Sequence, residues 1–201
     1  MTVEVCNDKK YIDKIVEIHM KTFTGFFLTF LGKGFLKQLY TGFMDHKGSD
    51  VIIAFDEVKQ PVGFLAYSED LSGFYKYLIK RRFFQFAWYA FLGFLRKPKI
   101  FIRLMRAFTY SGNSERKEKY IELSSIGVLP EVKNQGAGSM MIQYLYGLSD
   151  GSEFEYIKLE TDKENNEGAN HFYQKNGFKL DHSYETPEGR SMNEYRYYLA
   201  R

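Results

Sequence analysis

The sequence predicts an α/β (α+β) fold: a mixed, mostly antiparallel, twisted sheet of about six to seven strands flanked by helices. Three observations support this prediction. A β-branched stretch, a glycine-rich turn and an apolar helical run follow one another between Tyr120 and Leu148. Short apolar runs of strand length lie on both sides of them. The third observation is Leu71–Ser114, an aromatic and basic segment that would form a helical insert between the third and fourth strands.

Length and composition favour one domain over residues 1–201, with 71–114 as its insert. A chain of 201 residues is long enough to bury one core. The single cysteine, Cys6, excludes an intramolecular disulfide and a Cys-rich zinc site. The four histidines lack metal-ligand spacing, so no metal is expected. Because no basic segment followed by an apolar one opens the sequence, we expect a cytoplasmic protein.

The N-terminal part of the chain predicts one strand and two helices. Thr2–Cys6 alternates weakly between polar and apolar residues, as a strand does. Asp8 is a candidate cap for a helix over Tyr11–Phe23, whose apolar residues recur at helical spacing. A second helix is expected within Thr24–Phe43.

The next two apolar runs predict a hairpin. Val51–Phe55 and Val62–Tyr67 are separated by a charged connection that ends in Pro61. After the insert, further strands are predicted, the last two joined around Thr186–Gly189; they are Tyr120–Val128, Tyr156–Thr161, Lys179–Glu185 and Tyr195–Leu199.

The insert has three interpretations. It holds nine basic residues and no acidic residue, and its centre, Phe83–Leu95, is almost wholly apolar but too short for a membrane span. A pair of helices broken at Pro98, packed on the core and shaping a ligand site, is favoured. An interfacial helix in contact with anionic lipid is the lesser alternative. A nucleic-acid surface is disfavoured because the aromatic residues are too apolar and clustered for stacking platforms.

The turn after Tyr120–Val128 predicts an anion site. It leads into a helix over Ser139–Leu148, and the first N–H groups of a helix have no intrahelical partner and carry partial positive charge. Gly136 and Gly138 would let a phosphate approach the backbone, and Lys133 adds a full charge. The residues that follow Gly138 do not match a P-loop, and a dinucleotide fingerprint would need a third glycine.

The run Lys133-Asn134-Gln135-Gly136-Ala137-Gly138 resembles the pyrophosphate-binding motif of the GCN5-related N-acetyltransferases, the GNAT superfamily. That motif is Arg or Gln, two residues, Gly, one residue, then Gly or Ala, after a strand with an aliphatic end and a nearby proline. Both glycine positions match. Lys133 stands where Arg or Gln is usual, which keeps the charge but loses the guanidinium fork.

A second match lies downstream. Asn166, Ala169, Tyr173 and Gly177-Phe178 resemble the superfamily's second CoA-contacting segment, in which Asn, Ala and Tyr open a helix that ends in Gly-Phe. The same residues form a reasonable helix by themselves, with Asn165 or Asn166 as N-cap and Gly177 as a left-handed C-cap.

The resemblance implies a GNAT acetyltransferase domain, an acyltransferase that moves acetyl directly from acetyl-CoA, its cosubstrate, to a primary amine. The expected acceptor is a small molecule such as an amino sugar or a nucleotide-linked amino sugar. A protein or peptide amine, or a non-catalytic CoA-binding or interaction protein, is the alternative. We expect no nucleic-acid partner, and a monomer or a homodimer.

The resemblance also implies the site residues. Backbone groups of the strand end would pair with the pantetheine arm, and the Val128 N–H is the expected oxyanion donor. The implied cofactor-binding residues are Ile126, Gly127, Val128, Lys133, Asn134, Gln135, Gly136, Ala137, Gly138, Ser139, Asn166, Ala169 and Tyr173.

Two residues are candidates for acid and base catalysis. Tyr173 would protonate the departing thiolate, although it could also be an ordinary half-buried helix aromatic. Glu122 would deprotonate the amine, or would only bind a cationic acceptor. Strand alternation predicts that Glu122 shares one face with Ser124, Ile126 and Val128.

Overall fold

The computed structural model of the chain describes residues 1–96, 118–187 and 189–200. Within them seven strands form one sheet in the order β1-β2-β3-β4-β5-β7-β6, and only the pair β4–β5 is parallel. The predicted mixed, mostly antiparallel sheet is therefore confirmed. The strands are β1 Thr2–Val5, β2 Ser49–Phe55, β3 Pro61–Ser68, β4 Tyr120–Val128, β5 Tyr156–Asp162, β6 Lys179–Glu185 and β7 Ser191–Tyr198.

Helices cover both faces of the sheet. Asp8 accepts a hydrogen bond from the Lys10 N–H and so caps a short 3₁₀ turn, Lys9–Tyr11, rather than the first helix itself. A second 3₁₀ turn, Pro130–Val132, follows β4. The helices are α1 Ile12–Thr22, α2 Phe27–Leu31, α3 Lys33–Asp45, α4 Leu71–Arg96, α5 Ala137–Leu148 and α6 Glu167–Lys175.

The sheet separates two cores. The first core lies between the sheet and α1, α3 and the start of α4, and includes Phe64 and Ala66 of β3. The second core lies under α5 and α6 and includes Leu65 and Tyr67 of the same strand. Because β3 is buried on both faces, its sequence is a continuous apolar run rather than an alternating one.

A β-bulge in β4 overturns the predicted alternation of that strand. The register between β3 and β4 shifts after Ala66, and the extra residue on β4 is Ser124. Beyond the bulge, Ile126 packs on the second core. Gly127, in contrast, lies against Phe64 and Phe23 of the first core. The prediction that Glu122 shares a face with Ile126 and Val128 is therefore wrong, because the extra residue, Ser124, exchanges the two faces of the strand beyond it.

The bulge coincides with an opening in the middle of the sheet. β4 and β5 pair only from Tyr120 opposite Tyr156 to Glu122 opposite Lys158. Past that point β4 pairs only with β3 and β5 only with β7, and the described part of the chain contains no further pair between β4 and β5. The strands therefore diverge toward their C-terminal ends.

β7 begins four residues earlier than predicted, at Ser191 instead of Tyr195. Its first half contains Asn193 and Glu194, which are polar residues and gave no strand signal in the sequence. Both are buried. Polar partners compensate for their burial: Arg196 on the same strand lies 2.9 Å from Glu194, and the Asn193 amide donates to Asn170 of α6 at 2.9 Å.

The insert begins with one long helix. Phe74 and Leu78 in the first half of α4 are buried in the first core, as the favoured interpretation requires. The backbone breaks at Arg82 (φ −129°, ψ 17°), and the predicted break at Pro98 lies outside the described residues. Among the described helices, none combines the length and the apolarity that a membrane span needs.

Candidate active site

The turn between β4 and α5 is built for close approach to the backbone. Asn134 and Gly136 both have left-handed backbone angles, φ +67° and +90°, and these two residues direct the chain into α5. A Cβ at Gly136 would meet nothing within 4 Å, so this position is open to a ligand. Gly138 has a different role, because a Cβ there would lie 3.0 Å from the Phe172 ring. This glycine lets α6 pack against α5.

The start of α5 presents the N–H donors that the sequence predicts. Ala137, Gly138 and Ser139 form the first turn of α5, whose N–H groups have no acceptor within the helix. The Gln135 N–H, in contrast, donates to the Val132 carbonyl at 3.3 Å. The side chain of Lys133 is exposed beside the turn. The donor set therefore extends from Gly136 to Ser139, with a positive charge next to it.

The edge of β4 that faces the opening carries unpaired backbone groups. The Leu129 N–H donates to the Val62 carbonyl at 2.8 Å, so the polar groups of Gly127, two residues earlier, also face β3. The N–H groups of Ile126 and Val128 point the other way, into the opening. The Thr22 hydroxyl donates to the Val128 carbonyl at 3.0 Å and ties the end of α1 to this edge.

The N-terminus of α6 is fastened to the end of β5. Asn166 is the N-cap residue, as predicted, but its side chain makes no capping bond. Instead its amide donates to the Thr161 hydroxyl at 2.7 Å and to the Asp162 carbonyl at 3.1 Å. Ala169 lies half-buried in the same helix. The side chain of Asn166 thus positions α6 beside the opening.

Asn170 is a residue of this site that sequence reasoning missed. Its amide nitrogen donates to the Asp162 carbonyl at 3.0 Å, and its oxygen accepts from the Asn193 amide at 2.9 Å and the Tyr195 hydroxyl at 3.0 Å. Asn166 and Asn170 are four residues apart and therefore share a helix face. In the sequence, this spacing is the feature that could have identified Asn170 as a partner of Asn166.

Tyr173 lies inside α6, in the aromatic group around Phe178 and Tyr195, with ring centroids 6.0 and 6.1 Å away. Burial raises the pKa of its hydroxyl to about 12. The hydroxyl makes no hydrogen bond with any residue in the described ranges. It is therefore a protonated phenol with its donor available.

Glu122 is buried on the face of the sheet that carries the first core. Its side-chain oxygen lies 3.4 Å from the Lys158 ammonium, and Lys158 also contacts Glu160 at 2.8 Å and Glu194 at 3.8 Å. Burial raises the pKa of Glu122 to about 7, although the Lys158 charge acts in the opposite direction. Burial alone would lower the pKa of Lys158, but the surrounding carboxylates outweigh it and raise the pKa. The result is a carboxyl group that changes charge near neutral pH.

The first half of α4 lies near this carboxyl group. Burial is the main cause of the raised pKa of the Tyr75 hydroxyl, and the charges of Glu122 and Glu160 are the next causes. Tyr75 also packs on the first core. The insert therefore lies within electrostatic range of Glu122.

A buried polar chain reaches β4 from the helices. The Tyr40 hydroxyl lies 2.6 Å from Nδ1 of His19 and is also hydrogen-bonded to Ser125, just past the bulge. Burial lowers the pKa of His19 to about 4, so this ring is neutral at physiological pH. His19 is thus a core histidine.

Comparison with known proteins identifies the family. The model of the Acetyltransferase (GNAT) family matches residues 12–178. No curated protein matches the sequence. Solved structures with a similar fold include histone acetyltransferase HPA2 and related acetyltransferase from Corynebacterium glutamicum ATCC 13032, with a TM-score of 0.63 and 16% identity over 100% of this chain and 97% of that chain.

Two further structures have the same fold. Aminoglycoside 6′-acetyltransferase type Ii has a TM-score of 0.62 and 14% identity, over 100% of this chain and 99% of that one. The ribosomal-protein-S18-alanine N-acetyltransferase from Escherichia coli has a TM-score of 0.59 and 12% identity, over 100% of this chain and 94% of that one. At these identities the likeness establishes the fold alone, whereas the family model covers most of the chain. The chain belongs to the GNAT family of acetyltransferases and is an acetyl-CoA-dependent acyltransferase.

Proposed function

We propose that this acetyltransferase moves acetyl from acetyl-CoA directly to a primary amine of a small-molecule acceptor, with Glu122 as the general base. One observation carries the proposal. The strands β4 and β5 diverge immediately after Glu122 and Lys158, so the sheet opens beside a buried carboxyl group whose pKa is near neutral.

The backbone at one end of the opening suits the phosphates of CoA. The free N–H groups from Gly136 to Ser139 point at one site, the Cβ position of Gly136 is open, and Lys133 adds charge. The unpaired edge of β4 suits the pantetheine amides, which would add to it as a strand does.

The reaction then needs three contributions from the chain. When bound, acetyl-CoA supplies the thioester, whose C–S bond breaks as the new C–N bond forms. The Val128 N–H, which faces the opening, would donate to the carbonyl oxygen and stabilise the charge that develops there. Glu122 takes the proton of the attacking ammonium, and Tyr173 donates its proton to the leaving sulfur.

The surroundings of Glu122 favour a small acceptor. Tyr75 in the first half of α4 is near enough to Glu122 for the two groups to interact electrostatically, so the insert would leave less room beside this carboxyl group than an open peptide groove has. The carboxylates of Glu122, Glu160 and Glu194 attract an ammonium group. The basic residues of 71–114 would suit a phosphate, so an amino sugar, free or linked to a nucleotide, is the acceptor class that we propose.

Calorimetric titration with acetyl-CoA tests the cofactor site. We expect micromolar binding to the wild type and a loss of at least about tenfold in Gly136→Asp, because a carboxylate in the phosphate site repels the ligand. Gly136→Asn is the matched control. Asn has the same shape, tolerates the left-handed backbone and carries no charge, so it should bind much better than Asp.

Thiol release with a panel of amines tests the acceptor. We expect turnover with amino sugars or their nucleotide-linked forms, and much slower turnover with peptides that have a free N-terminus. Preference for a peptide would contradict the small-molecule proposal. Absence of acetyl-CoA binding would contradict the whole proposal.

A further inference from the structure

The second half of α4 has two different faces. Its inner face packs on α3: the Phe86 ring meets Phe35 edge-on with centroids 4.9 Å apart, and Tyr89 lies so close to Gly34 that a Cβ there would overlap the ring. Its outer face carries Phe84 and Trp88, whose side chains are 84% and 59% exposed. The inner face is sufficient to hold the helix on the protein, so the outer aromatic residues need another explanation.

The outer face is almost entirely apolar. Phe84, Trp88 and Phe91 follow one another at a spacing of four and three residues, which aligns them along one side of a helix. Phe83 and Ala87 flank this line and are also exposed. Of the exposed positions described between 83 and 91, only Gln85 is polar. A helix that faces water normally shows the opposite pattern.

Basic residues continue the same surface. Lys76, Lys80 and Arg81 are exposed in the turns that precede the aromatic line. The segment 71–114 holds nine of the chain's 28 basic residues and none of its 25 acidic ones, so its charge is +9. The rest of the chain has 19 basic and 25 acidic residues, a charge of −6. In the described part of the segment, three exposed basic residues therefore directly precede the exposed aromatic residues.

We propose that the outer face of α4 binds the surface of an anionic lipid bilayer. The aromatic line would enter the boundary between headgroups and acyl chains, with the helix lying in the plane of the membrane. Lys76, Lys80 and Arg81 would pair with anionic headgroups. The ring of Trp88 suits this boundary because it is apolar with one N–H donor at its edge. The opening between β4 and β5 takes no part in this contact.

Trp88 is the only tryptophan of the chain, so its fluorescence reports directly on the proposed contact. On addition of vesicles of phosphatidylcholine with about one third phosphatidylglycerol, we expect a blue shift of the emission and weaker quenching by acrylamide. Vesicles of phosphatidylcholine alone should bind at least about fivefold more weakly for each basic residue that contacts the membrane. Raised salt should weaken binding to the anionic vesicles.

Two glutamate substitutions distinguish a specific contribution of the aromatic line from a general effect of added negative charge. Phe84→Glu should reduce co-sedimentation with anionic vesicles at least about tenfold, because the charge would have to enter the boundary region. Val58→Glu is the matched control, since Val58 is 74% exposed in the turn between β2 and β3. It should bind vesicles like the wild type. Both variants should keep their acetyl-CoA affinity in calorimetry, so the result is independent of the proposed function.

Three outcomes would overturn the proposal. One is unchanged Trp88 emission with anionic vesicles, because the aromatic line would then not enter the membrane. A second is self-association in sedimentation experiments that Phe84→Glu abolishes, because the occupant would then be a second copy of the chain. The third is equal binding of a single-stranded oligonucleotide that competes with vesicles.

Discussion

Glu122 shows how the fold changes the acidity of one buried side chain. Its neighbours on β4, Ile121 and Leu123, are buried in the second core, so the carboxyl group must face the other side of the sheet. There it meets Lys158, which is itself shared with two other carboxylates. The lysine therefore compensates for the burial of Glu122 only in part, and the proton of Glu122 is held more tightly than in water.

A dependence of rate on pH follows from this environment. Only the ionised carboxylate can accept the proton of the amine, so kcat/KM should rise with pH through about 7. Glu122→Gln should lower kcat by about 10²- to 10³-fold and remove this dependence. Steady-state rates between pH 5.5 and 9 with wild type and variant provide the measurement.

Glu160→Gln is the control for this experiment. Because the charge of Glu160 helps to raise the pKa of Glu122, its removal should shift the rise in kcat/KM to lower pH without abolishing it. If Glu122→Gln kept the wild-type pH profile, Glu122 would bind the acceptor and another group would be the base.

Tyr173→Phe tests the other proton transfer. Burial keeps this phenol protonated at neutral pH, and the substitution removes the donor while leaving the ring in place. We expect kcat to fall about 10- to 100-fold, while calorimetry gives an unchanged affinity for CoA. Tyr144→Phe in α5 is the control and should keep wild-type turnover. Equal turnover in the two variants would remove Tyr173 from the mechanism.

The bulge of β4 is the feature at the level of elements that sequence analysis could not supply. The two serines, Ser124 and Ser125, are equally compatible with either face of a strand, so their pattern gives no sign of an extra residue. The bounds of β4 were nevertheless predicted correctly, because its β-branched and aliphatic residues mark the whole strand. The sequence can thus give the correct bounds of a strand and still give the wrong face for the residues beyond a bulge.

The break in α4 has a local cause that composition hides. Arg82 donates to the Gln38 side chain at 2.6 Å and to the Asp45 carboxylate at 2.7 Å, both on α3. In the sequence it is one of nine similar basic residues in the insert. Only the positions of its partners in the fold distinguish it from Arg81, which is exposed.

The neighbouring arginines provide a matched pair of substitutions. Arg82→Met should lower the free energy of unfolding by about 1–2 kcal/mol, because two hydrogen bonds to α3 are lost and Asp45 keeps only Lys9 as a charged partner. Arg81→Met should change it by less than about 0.5 kcal/mol. Urea denaturation of both variants gives the comparison. Equal stability would mean that packing alone joins α4 to α3.

At the scale of the whole molecule, the sequence predicted the sheet and the backbone part of the candidate site, since both depend on features that are local in the chain. Strand runs and the Lys133–Gly138 turn each lie within a few residues. The polar group around Glu122 was missed, because Lys158, Glu194 and Arg196 come from β5 and β7 and meet only in the folded sheet. A buried glutamate in a strand such as β7 is not expected from the sequence, because the cations that compensate for its charge are known only once the sheet is folded.

Ligand binding should stabilise the whole molecule. A ligand at 100 times its dissociation constant adds about 2.7 kcal/mol to the free energy of unfolding. For a protein of this size that corresponds to a rise in Tm of about 5–10 °C. Thermal melts with acetyl-CoA should show this rise for wild type and Tyr173→Phe, and a much smaller one for Gly136→Asp at the same ligand concentration. An equal rise in Gly136→Asp would relocate the phosphate site.

The opening between β4 and β5 has a mechanical consequence. Backbone hydrogen bonds between neighbouring strands hold a sheet together. Between β4 and β5 only three residue pairs are present, and all three lie at the N-terminal ends of the two strands. The sheet therefore behaves as two halves, β1 to β4 and β5 to β7, that are joined by these three pairs. A molecule bound along the free edge of β4 would hold the two halves of the sheet together. The ligand-free protein should therefore bend most easily along the line where we propose that the reaction takes place.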